Sequence, residues 1–563
     1  MHKIKRLFYT LKQLSYIQIV YRLNYIIKRK LIEKFGAFVF AIYEKSFQKT
    51  DLRVKKNPLF LLNNRSHYPD KIEDLLDNKF KFLNLNINFS EKIDWHKDEL
   101  NKGTRLWKLN LNYHEFLIDV AYTYLETEDN KYINFVEKII SEWFEQNPLG
   151  TKGYGKDNWN SYAISLRLIS WIKIYQLIGN HFSSNFKKLF IKLLWIQSHF
   201  LKDNIEYDIL GNHIIKNWKA LKWCKSFLKT NEFDKIIKSL EKYVFVQFTK
   251  DKFHEELSPM YSAIVLEDLL EVYIIDEKAV NVDLINSLFK NINFLSFSNN
   301  YSFFNDSVSN NGVQLKDLSN FYFKIFPEKK GVIFEGDFNI DGYLGFKNSN
   351  SHLIIDMANV AEGNQPAHIH CDAMSFEFSK KGNKIFTNSG TYEYNYGKRR
   401  YYSRSTESHN TLKYGDFNQS EIWGSFRVAR KAKTNYKIIK HSNNSIKLVG
   451  SVSGFDFNRK IVHQREFDCS NKRMIIHDKL ISNNEADDSK IYYHLSPEYS
   501  ILNNQIFNNK TNKFLADIFC NLKYDVVKTE YYKEFGHLSF KDTIIINSVP
   551  CNFNVKFEIQ FNE

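Results

Sequence analysis

The spacing of apolar residues changes once along the 563-residue chain, and this change constrains the fold more than any other feature. Between residues 106 and 297 apolar side chains recur every three or four positions. A series that begins after Ser161 places Ile164, Leu168, Trp171 and Tyr175 on one helical face. Beyond residue 336 the pattern becomes alternating, as in 351–358, 374–379 and 384–387, which is typical of strands. We therefore predict helices first and antiparallel sheets second.

The breaks between periodic segments indicate the domain organisation. Short polar connections separate the helical stretches, and no strict sequence period links them, which favours an irregular helical barrel or toroid over a repeat solenoid. Polar, turn-rich segments between 296 and 341 mark the junction with the sheets. The predicted domains are a basic helical extension over 1–100, a helical toroid over 101–335 and an antiparallel β-sandwich over 336–563.

The net charge and the aromatic content limit the classes of partner that the chain can bind. Lys and Arg outnumber Asp and Glu by 79 to 64, a net charge of +15, which suits a polyanion. Nucleic acid, a membrane surface and an acidic polysaccharide all meet this description. The chain has no phosphate-binding GxxxxGK[ST] motif and no recognised nucleic-acid module, so no nucleic-acid partner is expected. Aromatic residues form 16% of the chain and provide surfaces on which sugars stack.

Cysteine usage and the N-terminus bear on location. The five cysteines are scattered and odd in number, which argues against a disulfide framework and for a reducing compartment. Polar residues interrupt the basic N-terminal segment before a signal-peptide core or a membrane span forms. We expect a basic amphipathic helix that rests on the protein's own body or makes peripheral contact with a membrane. The expected location is cytoplasmic or associated with the inner membrane.

A histidine-rich tract precedes the predicted strand at 374–379. In an extended segment His368, His370 and Asp372 point to the same side, because side chains alternate with a period of two. Two imidazoles and a carboxylate in reach of one pocket suit catalysis or metal binding. The alternative is an exposed polar strand without function.

An aromatic and basic segment follows at 391–404. Its tyrosine rings, including Tyr394, alternate with the guanidinium groups of Arg399, Arg400 and Arg404. Aromatic rings stack on sugars or bases, and arginine pairs with carboxylate or phosphate. We predict that these four residues line a cleft for a polyanion.

Two short motifs stand out in the helical half. Gly211 precedes Asn212 and His213, and Ser258 with Pro259 precedes Tyr261. Asn212 is a candidate helix cap, and Ser258-Pro259 is a typical helix start. By themselves these motifs do not distinguish catalysis from capping.

Taken together and in order, the motifs resemble those of the heparinase II/III family of polysaccharide lyases. The resemblance covers residues 105 to 425. The matching stretches are LNLNYHEFL at 109–117, GNH at 211–213, SPMY at 258–261, HIHCD at 368–372, NSGTY at 388–392 and RSTESHNT at 404–411.

The resemblance implies an incomplete (α/α) toroid followed by a β-sandwich, with β-elimination of uronate-containing glycans in the cleft between them. Asn212, assisted by His213, matches the group that neutralises the uronate carboxylate. Tyr261 matches the acid that protonates the leaving oxygen, and His368 matches the base for one uronic epimer. For the other epimer, Tyr261 is also the base. The implied partner is an acidic polysaccharide, in a setting such as capsule or exopolysaccharide metabolism.

The resemblance also implies a structural zinc site at His370, Asn388 and His409, and no organic cofactor. Asn388 stands where the family's pattern has an aspartate, and a neutral amide is a poor zinc ligand. Either Asp372 or water completes the site, or hydrogen bonds replace the metal.

Two other functions remain open at this level. A glycoside hydrolase would need two facing carboxylates, for which Glu255, Glu256 and Asp372 are available. A non-catalytic glycan-binding or biosynthesis partner would keep the cleft without turnover.

Overall fold

A computed structural model describes most of the chain. The described residues are 2–48, 54–63, 72–89, 92–95, 104–298, 300–360, 366–482 and 489–562. Within them the first half is dominated by helices and the second half by strands, as the change of periodicity predicts.

Fourteen α-helices lie in the described residues, and thirteen of them precede the large sheets of the second half. They are α1 (His2–Leu11), α2 (Tyr16–Gln48), α3 (Ile72–Leu76), α4 (Arg105–Tyr113), α5 (Phe116–Thr127), α6 (Asn130–Gln146), α7 (Ser161–Ile178), α8 (Ser184–Asp203), α9 (Gly211–Leu228), α10 (Asp234–Phe245), α11 (Pro259–Tyr273), α12 (Val282–Phe294), α13 (Leu315–Ile325) and α14 (Lys398–Arg404).

The helices of the first half form two layers. Helices α5, α7, α9 and α11 pack side by side; α6 packs on α5, α8 on both α7 and α9, α10 on α9 and α12 on α11. Because the inner helices have neighbours on most sides, they are apolar nearly all round; α7 buries Ile164, Leu168, Trp171, Tyr175 and Ile178. This double layer is the predicted helical toroid.

The second half is built from antiparallel strands. Twenty-three strands lie in the described residues: β1 (Lys79–Phe82), β2 (Leu85–Asn88), β3 (Ser296–Phe297), β4 (Asn300–Tyr301), β5 (Gly336–Ile340), β6 (Tyr343–Lys347), β7 (Ser351–Asp356), β8 (Phe376–Lys380), β9 (Asn383–Phe386), β10 (Leu412–Lys413), β11 (Ile422–Trp423), β12 (Arg427–Val428), β13 (Lys433–Ser442), β14 (Ser445–Ser453), β15 (Val462–Ser470), β16 (Arg473–Ile481), β17 (Lys490–His494), β18 (Tyr499–Leu502), β19 (Gln505–Asn508), β20 (Phe514–Cys520), β21 (Asp525–Tyr531), β22 (Ser539–Ile546) and β23 (Asn554–Phe561).

The sandwich packs three sheets around one apolar core. An eight-stranded sheet has the order β13-β14-β15-β16-β23-β20-β19-β18, a five-stranded sheet runs from β5 to β9, and a four-stranded sheet has the order β10-β17-β22-β21. Alternate residues of β14 are buried, as a strand with one face on a core requires. Tyr493 of the four-stranded sheet stacks on Phe557 of the eight-stranded sheet, with ring centroids 3.9 Å apart. The predicted sandwich is confirmed.

The N-terminal residues pack on the toroid. Helix α2 lies along α8, where the Tyr43 hydroxyl donates to Asp203 at 2.8 Å and the Trp195 indole donates to Ser46 at 2.9 Å. Phe80 and Trp95 belong to the same apolar core as the toroid helices. The described residues of the 1–100 region are therefore more than a helical extension, because they include the β1-β2 hairpin and contribute to the toroid core. No described helix is long and apolar enough to cross a membrane.

We expect Gly36→Ala to destabilise the protein, because α2 passes very close to the body at this glycine. A methyl group at Gly36 would lie 2.6 Å from the Cα of Gly150, which is backbone and must move. Overpacking of this kind costs about 1–3 kcal/mol, measurable by urea denaturation. Gly397→Ala is the control, since Gly397 has open space and an extended backbone. Equal stability of the two variants would contradict the close docking of α2.

Candidate functional site

The site lies where helix starts of the toroid meet loops of the sandwich. Asn212 stands in the first turn of α9 and Tyr261 in the first turn of α11. His368 lies in the loop between β7 and β8, and Tyr394 lies in the loop before α14. Asp306, in the loop between β4 and α13, links the two halves because its backbone N–H donates to the carbonyl of His368 at 3.1 Å.

A fully buried carboxylate, Asp306, organises the sandwich side of the site. It accepts hydrogen bonds from His368 Nδ1 at 2.9 Å, from His370 Nε2 at 2.8 Å and from both terminal nitrogens of Arg400. Burial favours the neutral acid, but the Arg400 charge and the two imidazoles hold the pKa of Asp306 well below its usual range. Asp306 is therefore an anion at neutral pH.

Asp306 determines which nitrogen of His368 carries the proton. A carboxylate only accepts, so Nδ1 of His368 must be the N–H that faces it. In the neutral ring this leaves a lone pair on Nε2. The ring packs on Tyr261, with centroids 3.9 Å apart, and the edge of Phe426 lies beyond it. His368 is thus prepared to accept a proton at Nε2.

Tyr261 is held as a neutral phenol. Ser258 caps α11 by accepting the Tyr261 N–H at 3.2 Å, which confirms the predicted helix start at Ser258-Pro259. The Tyr261 hydroxyl lies 3.0 Å from that of Tyr394. Burial, together with Tyr394 and the negative Asp306, raises the pKa of Tyr261 well above its ordinary value. Tyr261 is therefore protonated before reaction, and it can donate that proton only to a strongly basic atom, such as a departing oxygen, in contact with its hydroxyl.

Asn212 is positioned by a carboxylate rather than by a capping role. Its Nδ2 lies 3.0 Å from each oxygen of Glu256, and its backbone N–H donates to the same carboxylate at 3.2 Å. Seen from Nδ2, the two oxygens of the carboxylate lie close together, whereas the two N–H bonds of the amide diverge widely. Only one of these N–H bonds can therefore point to Glu256. The other remains for a ligand. The α9 cap position is Leu210, so the helix-cap interpretation of Asn212 is wrong.

His213, next along α9, faces a second buried carboxylate. Its Nδ1 lies 3.1 Å from Glu206 Oε1, and its ring packs on Tyr162. Burial opposes a charge on the ring, but Glu206 outweighs this effect and raises the pKa of His213. With 29% of its side chain exposed, His213 lies at the edge of the site that opens to solvent, where Glu206 favours its charged form.

The predicted arginines differ in position. Arg400 is fully buried, and its Nε donates to the carbonyl of Ser425 at 2.9 Å in addition to the pair with Asp306. Arg404 is also buried and donates to backbone carbonyls, including that of Ile369 at 3.2 Å. Both side chains are buried and donate to groups of the protein, which does not favour the predicted contact of these two arginines with substrate. Arg399 is half-buried and lies over the ring of Tyr392.

The candidate metal ligands come from two loops. His370 Nδ1 and His409 Nε2 lie 3.3 Å apart. Their other nitrogens face acceptors, Asp306 for His370 and the Ser405 carbonyl at 2.8 Å for His409, so those nitrogens carry the protons. Two lone pairs then face each other, an arrangement that a cation between them stabilises. A carboxylate oxygen of Asp372 lies within 4.8 Å of both nitrogens.

Asn388 has a different environment from the one expected of a ligand. Its Oδ1 accepts from Ser375 Oγ at 2.7 Å and from the Asn410 N–H at 3.3 Å. Its oxygen is thus already bound by protein donors. Of the alternatives considered for this site, completion by Asp372 agrees best with the positions of the side chains.

Sequence reasoning did not find the three carboxylates that orient the site. Asp306 lies in a polar, turn-rich stretch whose composition predicts only a connection between domains. Glu206 belongs to none of the motifs that resemble the family. Glu256, five residues before Tyr261, was considered only as a hydrolase carboxylate. The histidine tract was read as extended, whereas residues Pro366–His368 form a 3₁₀ turn. His368 and His370 converge because both bind Asp306.

The toroid-plus-sandwich fold, with Asn, Tyr and His side chains converging between its halves, defines the class of two-domain polysaccharide-lyase-like proteins. Comparison with protein families agrees. The model described as "Heparinase II/III N-terminus" matches residues 27–334, and that described as "Heparinase II/III-like, C-terminal" matches residues 337–520. The chain belongs to the heparinase II/III family, and the resemblance seen in its motifs is confirmed.

Individual relatives are distant in sequence. The chain is 24% identical over 407 residues to a heparin-sulfate lyase of Bacteroides thetaiotaomicron, a match that takes in 62% of this chain and 57% of that protein. A crystal structure of heparinase III superposes with a TM-score of 0.71 at 19% identity, covering 92% of this chain and 88% of that one. A heparan sulfate lyase mutant from Pedobacter heparinus gives 0.61 at 16% identity, covering 94% and 89%. These structures support the fold.

We expect Asp306→Asn to lower the free energy of unfolding by about 3 kcal/mol or more, because it leaves the charge of Arg400 buried without its counterion. Urea denaturation followed by circular dichroism measures this change. Asp74→Asn is the control, since the Asp74 side chain is 66% exposed and its ion pair with Lys79 is long, at 3.9 Å. A loss no larger than that of the control would show that Asp306 does not hold the junction together.

Proposed function

We propose that the protein is a polysaccharide lyase that cleaves a uronate-containing acidic polysaccharide by β-elimination. One observation carries this proposal: a neutral Tyr261 phenol packs against His368, whose Nε2 lone pair Asp306 makes available. An acid and a base in contact, beside a free amide N–H, are the groups that elimination from a uronate requires.

The first requirement is to weaken the C5–H bond, which lies α to the uronate carboxylate. The N–H of Asn212 that does not point to Glu256 can donate to that carboxylate, and His213, whose charged form Glu206 favours, is the adjacent residue. Both stabilise the negative charge that develops as the proton leaves C5. Glu256 and Glu206 act as positioning residues for these two groups.

The proton transfers then follow from the protonation states. His368 Nε2 takes the C5 proton, the released electron pair forms the C4–C5 double bond, and the C4–O4 bond breaks. Tyr261 gives its proton to the departing O4. For the epimer with its C5 proton on the other face, Tyr261 would have to lose its own proton first and act as base as well. The hydrogen bond that leaves the lone pair on Nε2 of His368 supports a substrate whose C5 proton faces His368.

The substrate class rests on charge and on the relatives. The chain carries a net charge of +15, and the relatives described above are named as lyases of heparin-sulfate and heparan sulfate. Tyr394 and Arg399 remain the predicted substrate contacts. The link to capsule or exopolysaccharide metabolism and the cytoplasmic or inner-membrane-associated location stay predictions.

The hydrolase alternative has less support. Glu256 is bound to Asn212, and Asp372 accepts the Asn305 backbone N–H at 2.8 Å. Burial raises the pKa of Glu255 to about 7, as a general acid needs. A hydrolase also needs a second carboxylate, and the two candidates, Glu256 and Asp372, are already bound by protein donors.

We also propose that His370, His409 and Asp372 hold a zinc ion. Two imidazole nitrogens bound tetrahedrally at about 2.0–2.1 Å lie roughly 3.3 Å apart, which matches the separation of His370 and His409. Asp306 would orient His370 in the way that carboxylates orient zinc-bound histidines. When bound, the ion would supply a structural cross-link between the two loops behind His368.

We expect Tyr261→Phe to reduce elimination at least about 100-fold, because no other group replaces the lost proton donor. The measurement is the ultraviolet absorbance of the unsaturated uronate formed from a panel of acidic polysaccharides. Tyr436→Phe, at a tyrosine of β13 that is 38% exposed, should keep the wild-type rate. An unchanged rate in Tyr261→Phe would refute the assignment. Shortened chains without absorbance would indicate hydrolysis, and binding without either change would indicate a non-catalytic role.

For the metal, we expect close to one zinc per chain by elemental analysis of protein purified without chelator. His409→Ala should lose the ion, because it removes a ligand and leaves a cavity. His441→Ala is the matched control, since His441 lies on β13 and contacts the Gly345 carbonyl instead. Wild-type protein without stoichiometric metal would contradict the zinc site.

A further inference from the structure

Helix α2 is apolar on both of its long faces. One face packs on the toroid through residues such as Tyr25, Ile32 and Gly36. The opposite face also carries large apolar side chains, which are between 37% and 83% exposed; they are Tyr16, Ile19, Val20, Leu23, Ile26, Ile27, Leu31, Phe35, Phe38 and Ile42. An apolar face of this length that packs on no described residue marks a site of interaction. Its outer face therefore needs a partner.

Helix α1 extends this surface. Ile4, Leu7, Phe8 and Leu11 recur at helical spacing and are all exposed. We call the exposed apolar residues of α1 and α2 together the N-terminal apolar face. An exposed patch of this extent marks a site of interaction in a folded protein.

The charges around this face are almost all positive. Residues 4–48 contain nine Lys and Arg residues and only two Glu. Both acidic side chains point to the protein itself, since Glu33 accepts the Gly153 N–H at 3.0 Å and Glu44 pairs with Lys192 at 2.9 Å. Lys30 and Lys34 are exposed on the outer side of α2. The partner must therefore be apolar below its surface and negatively charged at its surface.

We propose that α1 and α2 lie flat on an anionic lipid bilayer, with the N-terminal apolar face inserted among the headgroups. Helix α2 bends at Phe35, and at 1.5 Å per residue the 19 residues before the bend form a contact about 28 Å long. Basic residues recur along α2, which suits a position in the interface and prevents a span. A second copy of the same face is disfavoured because its positive charges would repel the first.

This placement brings the candidate site close to the lipid surface. The Trp423 indole, at the start of the β11-β12 hairpin, donates to Thr10 Oγ1 of α1 at 3.0 Å. The tip of that hairpin carries Phe426, whose ring lies 5.9 Å from His368 and 5.2 Å from Tyr394. A short chain of contacts thus connects the lipid-bound helices to the site.

The test is co-sedimentation of the full chain with vesicles of phosphatidylcholine alone and of phosphatidylcholine mixed with phosphatidylglycerol. We expect binding to the anionic vesicles, weaker binding to the neutral ones, and a decrease with salt. A triple variant, Leu23→Gln with Ile27→Gln and Phe38→Gln, should bind at least about tenfold more weakly. Ile333→Gln, at an exposed apolar residue far along the chain, is the matched control.

Circular dichroism shows that each variant is folded, and light scattering gives its oligomeric state. No binding of the wild type to anionic vesicles would overturn the proposal, as would equal binding by the triple variant. A wild-type dimer that the triple variant dissociates would show instead that this face joins two copies. Neither result depends on lyase activity, so failure of this proposal is distinct from failure of the proposed function.

Discussion

The junction between toroid and sandwich depends on one buried anion, Asp306. Its two oxygens bind His368 and His370 from the loop between β7 and β8 and Arg400 from α14, two separate segments of the sandwich half, while its own backbone lies in a loop that follows the toroid helices. A buried charge is tolerable only when its partners are complete, so these segments are held in one arrangement. The same interaction that joins the halves therefore prepares His368 as a base and orients His370.

On the helical side of the site, buried carboxylates likewise orient the polar groups, and the backbone beside them is strained. Glu256 orients Asn212, and Glu206 orients and charges His213. The backbone beside these groups is strained, since Leu210 and Leu257 both have positive φ angles. Leu257 is kept in place because its carbonyl accepts from the Tyr343 hydroxyl of the sandwich at 2.7 Å. Strain at such positions persists only where surrounding contacts enforce it, which here means contacts between the two halves.

Electrostatics separates the molecule into surfaces with different partners. Inside the site, negative carboxylates hold the polar groups, and at the open edge Glu206 favours the charged form of His213. On the N-terminal helices, positive side chains surround apolar ones without a matching set of exposed acids. A net charge of +15 would by itself suit a single polyanion. Because the positive groups are divided between the site and the N-terminal helices, they suit two anionic partners of different kinds.

The sequence by itself determined the order of helices and sheets, the start of α11 at Ser258-Pro259 and the family, because periodicity, caps and motifs are local properties. It also named Asn212, Tyr261, His368, His370 and His409. Only the tertiary structure decided which carboxylates orient these groups and that Arg400 and Arg404 turn inward. Asp306 meets His368 and Arg400 across 62 and 94 residues of chain, and no local pattern specifies which distant side chain will lie within 3 Å of another.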